Sequence, residues 1–183
     1  MFIQTEETPN PATMKFLPSR EVLVDRTLEI TSATDANASP LAKALFELEG
    51  VKGVFLGRDF VTVTKDTSKD WPVMKPAILT TIMDHFTNNR PIIANGTEAA
   101  VAHQADESET VKQIRELIEM KVRPAVAQDG GDIVFENFED GVVYLKLKGS
   151  CSGCPSSTMT LKAGIENMLK HYIPEVREVR QAH

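Results

Sequence analysis

The sequence predicts an α+β fold: two small domains, each a small, mostly antiparallel sheet packed with helices. Three observations point there. The chain has 183 residues, enough for one large domain or two small ones. Each half holds short strand-like runs joined by tight turns, together with stretches whose apolar residues recur at three- and four-residue spacing. Between the halves, residues 91–107 are rich in Ala and small polar residues and show no strand period. That stretch reads as a linker, with a strand-like or docking piece at Pro91–Ala94. The predicted boundaries are 1–90, 91–107 and 108–183.

In the first half, Met1–Thr5 is a candidate strand, and Thr8-Pro9-Asn10-Pro11 is a loop because two close prolines resist regular structure. Met14–Leu17 and Leu28–Ile30 are further strands. Ser39 then caps a helix that has Pro40 at its first position. Leu41, Ala44, Leu45 and Leu48 share one face of this helix, and Gly50 is its stop. Val51–Leu56 and Phe60–Thr64 form a hairpin across Gly57-Arg58-Asp59. Asp70 caps a second helix, Trp71–Thr87, which turns Val73, Ile78, Ile82 and Phe86 to a core and is anchored to the sheet by Trp71.

The second half predicts the order α-β-β-α with a possible final β. Thr110 and Gln113 fit a capping box before the stripe Val111, Ile114, Leu117, Ile118, and Pro124 should kink or end that helix. Asp129-Gly130-Gly131-Asp132 is a turn. Ile133–Phe138 and Val142–Leu147 form a hairpin across Glu139-Asp140-Gly141, with Val143, Leu145 and Leu147 alternating against Tyr144, Lys146 and Lys148. A helix from about Ser156 to Tyr172 buries Leu161, Ile165, Met168, Leu169 and Tyr172. Pro174 stops it, and Val176–Val179 is the candidate last strand.

Composition narrows the function. The net charge is −6, and residues 1–103 and 104–183 each carry ten Lys and Arg against thirteen Asp and Glu. With no basic patch, nucleic-acid binding is not expected. No apolar run approaches the roughly 20 residues that span a bilayer, so no membrane partner is expected. The acidic start, Met1-Phe2-Ile3-Gln4-Thr5-Glu6-Glu7, lacks a basic n-region and an apolar h-region. It reads as the direct beginning of folded structure, which fits a bacterial cytoplasmic protein. The alternative is the mitochondrial matrix after presequence removal. No Ser-His-Asp grouping, P-loop or paired-carboxylate site is apparent, so no enzyme is expected.

The chain has two cysteines, Cys151 and Cys154, in the loop Gly149-Ser150-Cys151-Ser152-Gly153-Cys154-Pro155 between a strand end and a helix start. Orphan N–H groups and the helix dipole favour a thiolate there, the form that binds metal or attacks a disulfide. Gly149 and Gly153 remove side-chain bulk. A dithiol oxidoreductase would place C-x-x-C at a helix start, though usually in a βαβ pattern rather than after a hairpin. Structural zinc needs four ligands, as does an iron–sulfur cluster. One chain offers two thiolates, so either would require two chains at a two-fold axis. Counting leaves cluster and zinc both open.

The runs Arg123-Pro124, Asp129-Gly130-Gly131-Asp132-Ile133 and Gly149-Ser150-Cys151-Ser152-Gly153-Cys154-Pro155-Ser156-Ser157 resemble the C-terminal domain of NifU. Gln4-Thr5-Glu6-Glu7-Thr8-Pro9-Asn10-Pro11 and the stretch from Ser39 to Lys65 are similar to the N-terminal domain of Nfu-type proteins. The resemblance covers nearly the whole chain, with an Nfu-type domain at 1–90 and a NifU-like cluster-binding domain at 108–183. It implies a carrier that holds a [4Fe–4S] cluster (or a [2Fe–2S] cluster) between two chains through Cys151 and Cys154. It also implies a homodimer formed through the cluster, upstream cluster-assembly proteins and apo iron–sulfur clients as partners. The ferredoxin-like and desulfurase-scaffold domains of full NifU have no counterpart, which favours carriage over de novo assembly.

Other residues read more plainly. His85, His103, His171 and His183 share no ligand spacing and read as ordinary surface or helix histidines. Asp129 and Asp132 read as turn formers. Lys146 and Lys148 lie on an exposed strand face, and Met159 and Met168 pack in or near the core.

Overall fold

A computed structural model describes residues 2–24, 26–94, 108–152 and 155–182, without the side chains of 155–157. The part of the expected linker from residue 95 on lies outside the described residues, as do Met1, His103, Cys154 and His183. The chain divides into two compact units, Met1–Ala99 and Ala100–His183. Both are small, mostly antiparallel sheets packed with helices, as the sequence predicts.

The first unit holds β1 (Gln4–Glu7), β2 (Thr13–Leu17), β3 (Leu28–Ile30), α1 (Pro40–Phe46), β4 (Val51–Leu56), β5 (Val61–Lys65) and α2 (Trp71–Thr87). Its antiparallel sheet runs β1-β2-β5-β4-β3. The first strand lies later than the expected Met1–Thr5 because the turn sets the register. Asn10 accepts from the Ala12 amide at 3.0 Å through Oδ1 and from the Thr13 amide at 2.9 Å through its carbonyl. The ladder counts outward from there, from Glu7 opposite Met14 to Gln4 opposite Leu17. Phe60, expected in β5, belongs to the turn: its carbonyl accepts from the Gly57 amide at 2.9 Å, and a Cβ on Gly57 would stand 2.4 Å from its ring.

Ser39 caps α1, its hydroxyl accepting from the Ala42 amide. Leu41, Ala42 and Leu45 are its buried residues; Ala44 and Leu48 are half-buried. Helix α2 has the predicted bounds, and Trp71 ties it down by donating from Nε1 to the Pro11 carbonyl at 3.0 Å. Its buried face is Met74, Ile78, Ile82, His85 and Phe86. Val73, expected in the core, is 75% exposed. Five residues before Ile78, it points about 140° away from that stripe.

The second unit follows the order α-β-β-α-β: α3 (Glu109–Leu117), a π-helical turn (Ile118–Val122), α4 (Arg123–Gln128), β6 (Gly131–Glu139), β7 (Val142–Gly149), α5 (Pro155–Tyr172) and β8 (Glu178–Gln181). Ser108 rather than Thr110 caps α3, accepting from the Val111 amide. The helical run continues past Pro124, which sits in the first turn of α4. A π turn carries one extra residue, and the first turn of a helix tolerates a missing N–H, so the proline is absorbed rather than breaking the run.

Strands β6 and β7 pair antiparallel around Asp140 (φ 52°) and Gly141 (φ 81°), the positive-φ pair of a tight hairpin. Strand β8 adds parallel to β7, so this sheet is β6-β7-β8. It begins at Glu178, later than expected, because the Gly141 carbonyl takes the amides of Arg177 and Glu178. Ile114, Ile118, Val122, Ile133, Val143, Leu145, Leu147, Ile165, Leu169 and Val179 are in the core. Tyr172 and Met159, expected to be buried, are 50% and 76% exposed, and Ile173 takes the final core position of that stretch.

Candidate functional site

Gly131 pairs with Gly149, so the turns Asp129–Asp132 and Gly149–Ser152 meet at one end of the β6–β7 ladder. Gly130 (φ 78°) and Gly149 (φ 66°) supply the left-handed conformations that bend the chain there. The Ser150 amide donates to the Gly130 carbonyl at 3.3 Å, and the Ser150 hydroxyl donates to the Asp129 carbonyl.

Cys151 was expected in a surface loop, its thiol at a helix start. Instead it is 5% exposed and belongs to the hydrophobic core of its unit. Gly131 explains the fit. A Cβ at Gly131 would stand 2.7 Å from the Cys151 sulfur and 2.7 Å from the Lys148 carbonyl oxygen, so the sulfur fills space that any side chain there would occupy. From α5, the Thr158 hydroxyl reaches the Cys151 carbonyl at 3.5 Å.

The charge pattern beneath the turn is compact. Arg123 donates from Nε to Asp132 Oδ1 at 2.8 Å and from Nη2 to Oδ2 at 2.9 Å, a bidentate pair. Its Nη1 reaches both Glu119 oxygens at 2.8 and 2.9 Å. Asp132 Oδ1 also accepts from the Ile133 amide at 2.8 Å. The Asp132 carboxylate raises the Arg123 pKa further above its ordinary value. Asp132, read from sequence as a turn former, is thus a buried acceptor that fastens the turn to α4. Lys146 is exposed and Lys148 half-buried, in keeping with a strand face open to solvent.

Of the predicted ligands, the structure describes only Cys151; Cys154 and its relation to Cys151 lie outside the described residues. Among the described residues no group of three or more His, Cys, Asp and Glu could hold a metal, and no helix is long and apolar enough to cross a membrane. Sequence reasoning missed Ser150 and the Arg123–Asp132 pair, whose one linear sign is a polar residue placed beside each glycine turn. His85, read as an ordinary surface or helix residue, is 1% exposed with neither ring nitrogen hydrogen-bonded. Burial, and secondarily the Arg90 charge, hold its pKa below the ordinary value.

These features define a class: a two-unit α+β protein with one dithiol motif at a strand-to-helix junction. Comparison with known proteins makes it specific. Residues 3–89 match the family described as scaffold protein Nfu/NifU N terminal, and residues 114–180 match the NifU-like domain. The human protein named NFU1 iron-sulfur cluster scaffold homolog, mitochondrial, is 50% identical over 182 residues, covering 99% of this chain and 72% of its own length. Its Drosophila persimilis namesake is 51% identical over 183 residues, covering 99% of this chain and 65% of its own length. A NifU-like protein from Saccharomyces cerevisiae, solved by NMR, overlays with a TM-score of 0.47 at 29% identity, covering 51% of this chain and 85% of that one. The chain belongs to the Nfu/NifU family of iron–sulfur cluster scaffold proteins. These relatives are named mitochondrial, which speaks against the expectation of a bacterial cytoplasmic protein and for its mitochondrial alternative.

Proposed function

We propose that this chain carries a [4Fe–4S] cluster between two copies of itself, with Cys151 and Cys154 of each copy as the four thiolate ligands, and delivers it to apo-proteins. The observation that supports this best is a cysteine content of two, spaced C-x-x-C between β7 and α5, in a member of a cluster-scaffold family. A cluster of this kind is held by four thiolates, and a two-fold axis doubles the two that one chain supplies. Cargo held at a subunit interface leaves when the interface opens, which suits transfer. The cluster is cargo, and the protein acts as its carrier rather than as a catalyst. Upstream assembly proteins load it, and apo iron–sulfur proteins receive it. The names of the relatives support a mitochondrial place of work, and the matrix is the compartment proposed for it. Residues 1–90 and 108–183 act as separate domains, the second bearing the cluster.

Anaerobic reconstitution with visible and Mössbauer spectra, metal analysis and sedimentation tests this reading. The expected result is a dimer with about one four-iron cluster per two chains. The loaded protein should also restore activity to an apo [4Fe–4S] enzyme. A stable monomer holding a full cluster would overturn the shared site. Turnover of insulin disulfides by metal-free protein would instead favour a dithiol oxidoreductase. Zinc that resists replacement by iron would favour a zinc-bridged dimer.

A further inference from the structure

We propose that the inward-facing Cys151 is a closed state, held by Ser150 and Gly131, and that the 149–152 turn must swing outward before this thiol ligates a cluster shared with a second chain. The inference rests on the ligand role of Cys151 proposed above. The closed state itself stands on the structure alone.

A thiolate that bridges to another chain has to meet it at the molecular surface, yet Cys151 is 5% exposed. Contacts at Gly131, Ser150 and Thr158 keep it in. Its sulfur occupies the space above Gly131 that a Cβ would fill. Ser150, itself 2% exposed, ties the turn to the opposing one through its hydroxyl on the Asp129 carbonyl and its amide on the Gly130 carbonyl. The Thr158 hydroxyl lies 3.5 Å from the Cys151 carbonyl. The opposing turn does not give way, because Arg123 and the Ile133 amide clamp Asp132. The 149–152 turn is therefore the part that moves, and Ser150 is a positioning residue that sets the balance between closed and open. When closed, the thiol is withheld from oxidants and stray metals. When open, it can reach a second chain.

Alkylation of the metal-free, fully reduced chain by iodoacetamide tests this, with mass spectrometry resolving positions 151 and 154. Cys151 should react at least about 100-fold more slowly in the native chain than in denaturant, as expected for a thiol reached by local opening. Ser150→Ala should raise the native rate about fivefold, the loss of roughly one net hydrogen bond. That acceleration should persist at low denaturant, where global unfolding is negligible, and Ser150→Thr, which keeps the hydroxyl, should restore the slower rate. Native alkylation at the denatured rate would overturn the closed state. Acceleration only in proportion to lost global stability would overturn the positioning role. Iron loading provides the separate arm: Ser150→Ala should load faster. Faster alkylation with unchanged loading would show that opening does not precede ligation. Failure of all variants to take up iron, with the alkylation pattern intact, would instead count against the ligand role.

Discussion

At the scale of single residues, His85 carries a pH signature. The unfolded chain protonates this imidazole near pH 6.5, whereas burial in α2 and the Arg90 charge lower its pKa in the fold. The backbone at Arg90 and Pro91 opposes this weakly, without a well-formed hydrogen bond to the ring. Below pH 6.5 the unfolded state therefore binds more protons than the folded one, so stability falls as pH falls. The His85 contribution is whole above pH 6.5 and is lost as pH drops from there through the lowered folded value. Asp66, pushed down to about 2 chiefly by its hydrogen bonds with Ser68, titrates well below that window and does not blur it. Trp71, the one tryptophan, reports on the unit that contains His85. Its fluorescence melts should shift to lower temperature between pH 7.5 and 5.5 in the parent chain and shift less in His85→Gln. Equal shifts in both would remove His85 from the explanation.

At the scale of elements, two glycines make opposite predictions. Gly164 lies in the middle of α5 with nothing within 4 Å of where a Cβ would be. Gly164→Ala should stabilise the second unit by about 1 kcal/mol, the usual helix-interior difference, raising its Tm by several degrees. Gly131→Ala meets both the Cys151 sulfur and the Lys148 carbonyl at 2.7 Å, and a backbone atom does not step aside. It should cost about 1–3 kcal/mol, as overpacking does, and lower the Tm correspondingly. Calorimetry on the two variants decides both, and a neutral Gly131→Ala would mean that Cys151 is loosely seated. Elements are also where the sequence was most legible. The bounds of α2, β3 and β4 follow from prolines and apolar runs that act locally, although Asp70, expected to cap α2, stands at its N-cap without a side-chain cap bond. The shift of β1 depends on side-chain bonds inside the Thr8–Thr13 turn, whereas the parallel β8 and the burial of Cys151 depend on partners distant in sequence: the Gly141 carbonyl and the vacant side of Gly131. The C-x-x-C spacing names the thiols but carries no sign of which way they face.

At the scale of the whole molecule, each unit has its own sheet and its own apolar core, and the described part of the cysteine turn belongs to the sheet of the second. The piece spanning residues 108–183 should therefore fold and load iron with the same stoichiometry per chain as residues 1–183. Residues 1–94 should fold and take up none. Iron content, circular dichroism and sedimentation of the two pieces measure this. Loading that requires both pieces together would assign the first unit a direct part in holding the cluster.

The π turn at Ile118–Val122 has a consequence for lineages that gain or lose single residues. It acts as a phase shifter. Each residue advances a helix by about 100°, so the extra residue sets the angle between Ile114 and Ile118 on one side and Arg123 and Val126 on the other. Met120 is 69% exposed, and Met120→Ala should be nearly silent. Deleting Met120 should not be. The run would rewind as a regular helix, and the two sides would turn relative to each other. Either the isoleucines would leave the core or Arg123 would leave Asp132. A frame-preserving loss of three nucleotides at this solvent-facing codon would then behave as a lesion of the cysteine turn some thirty residues downstream.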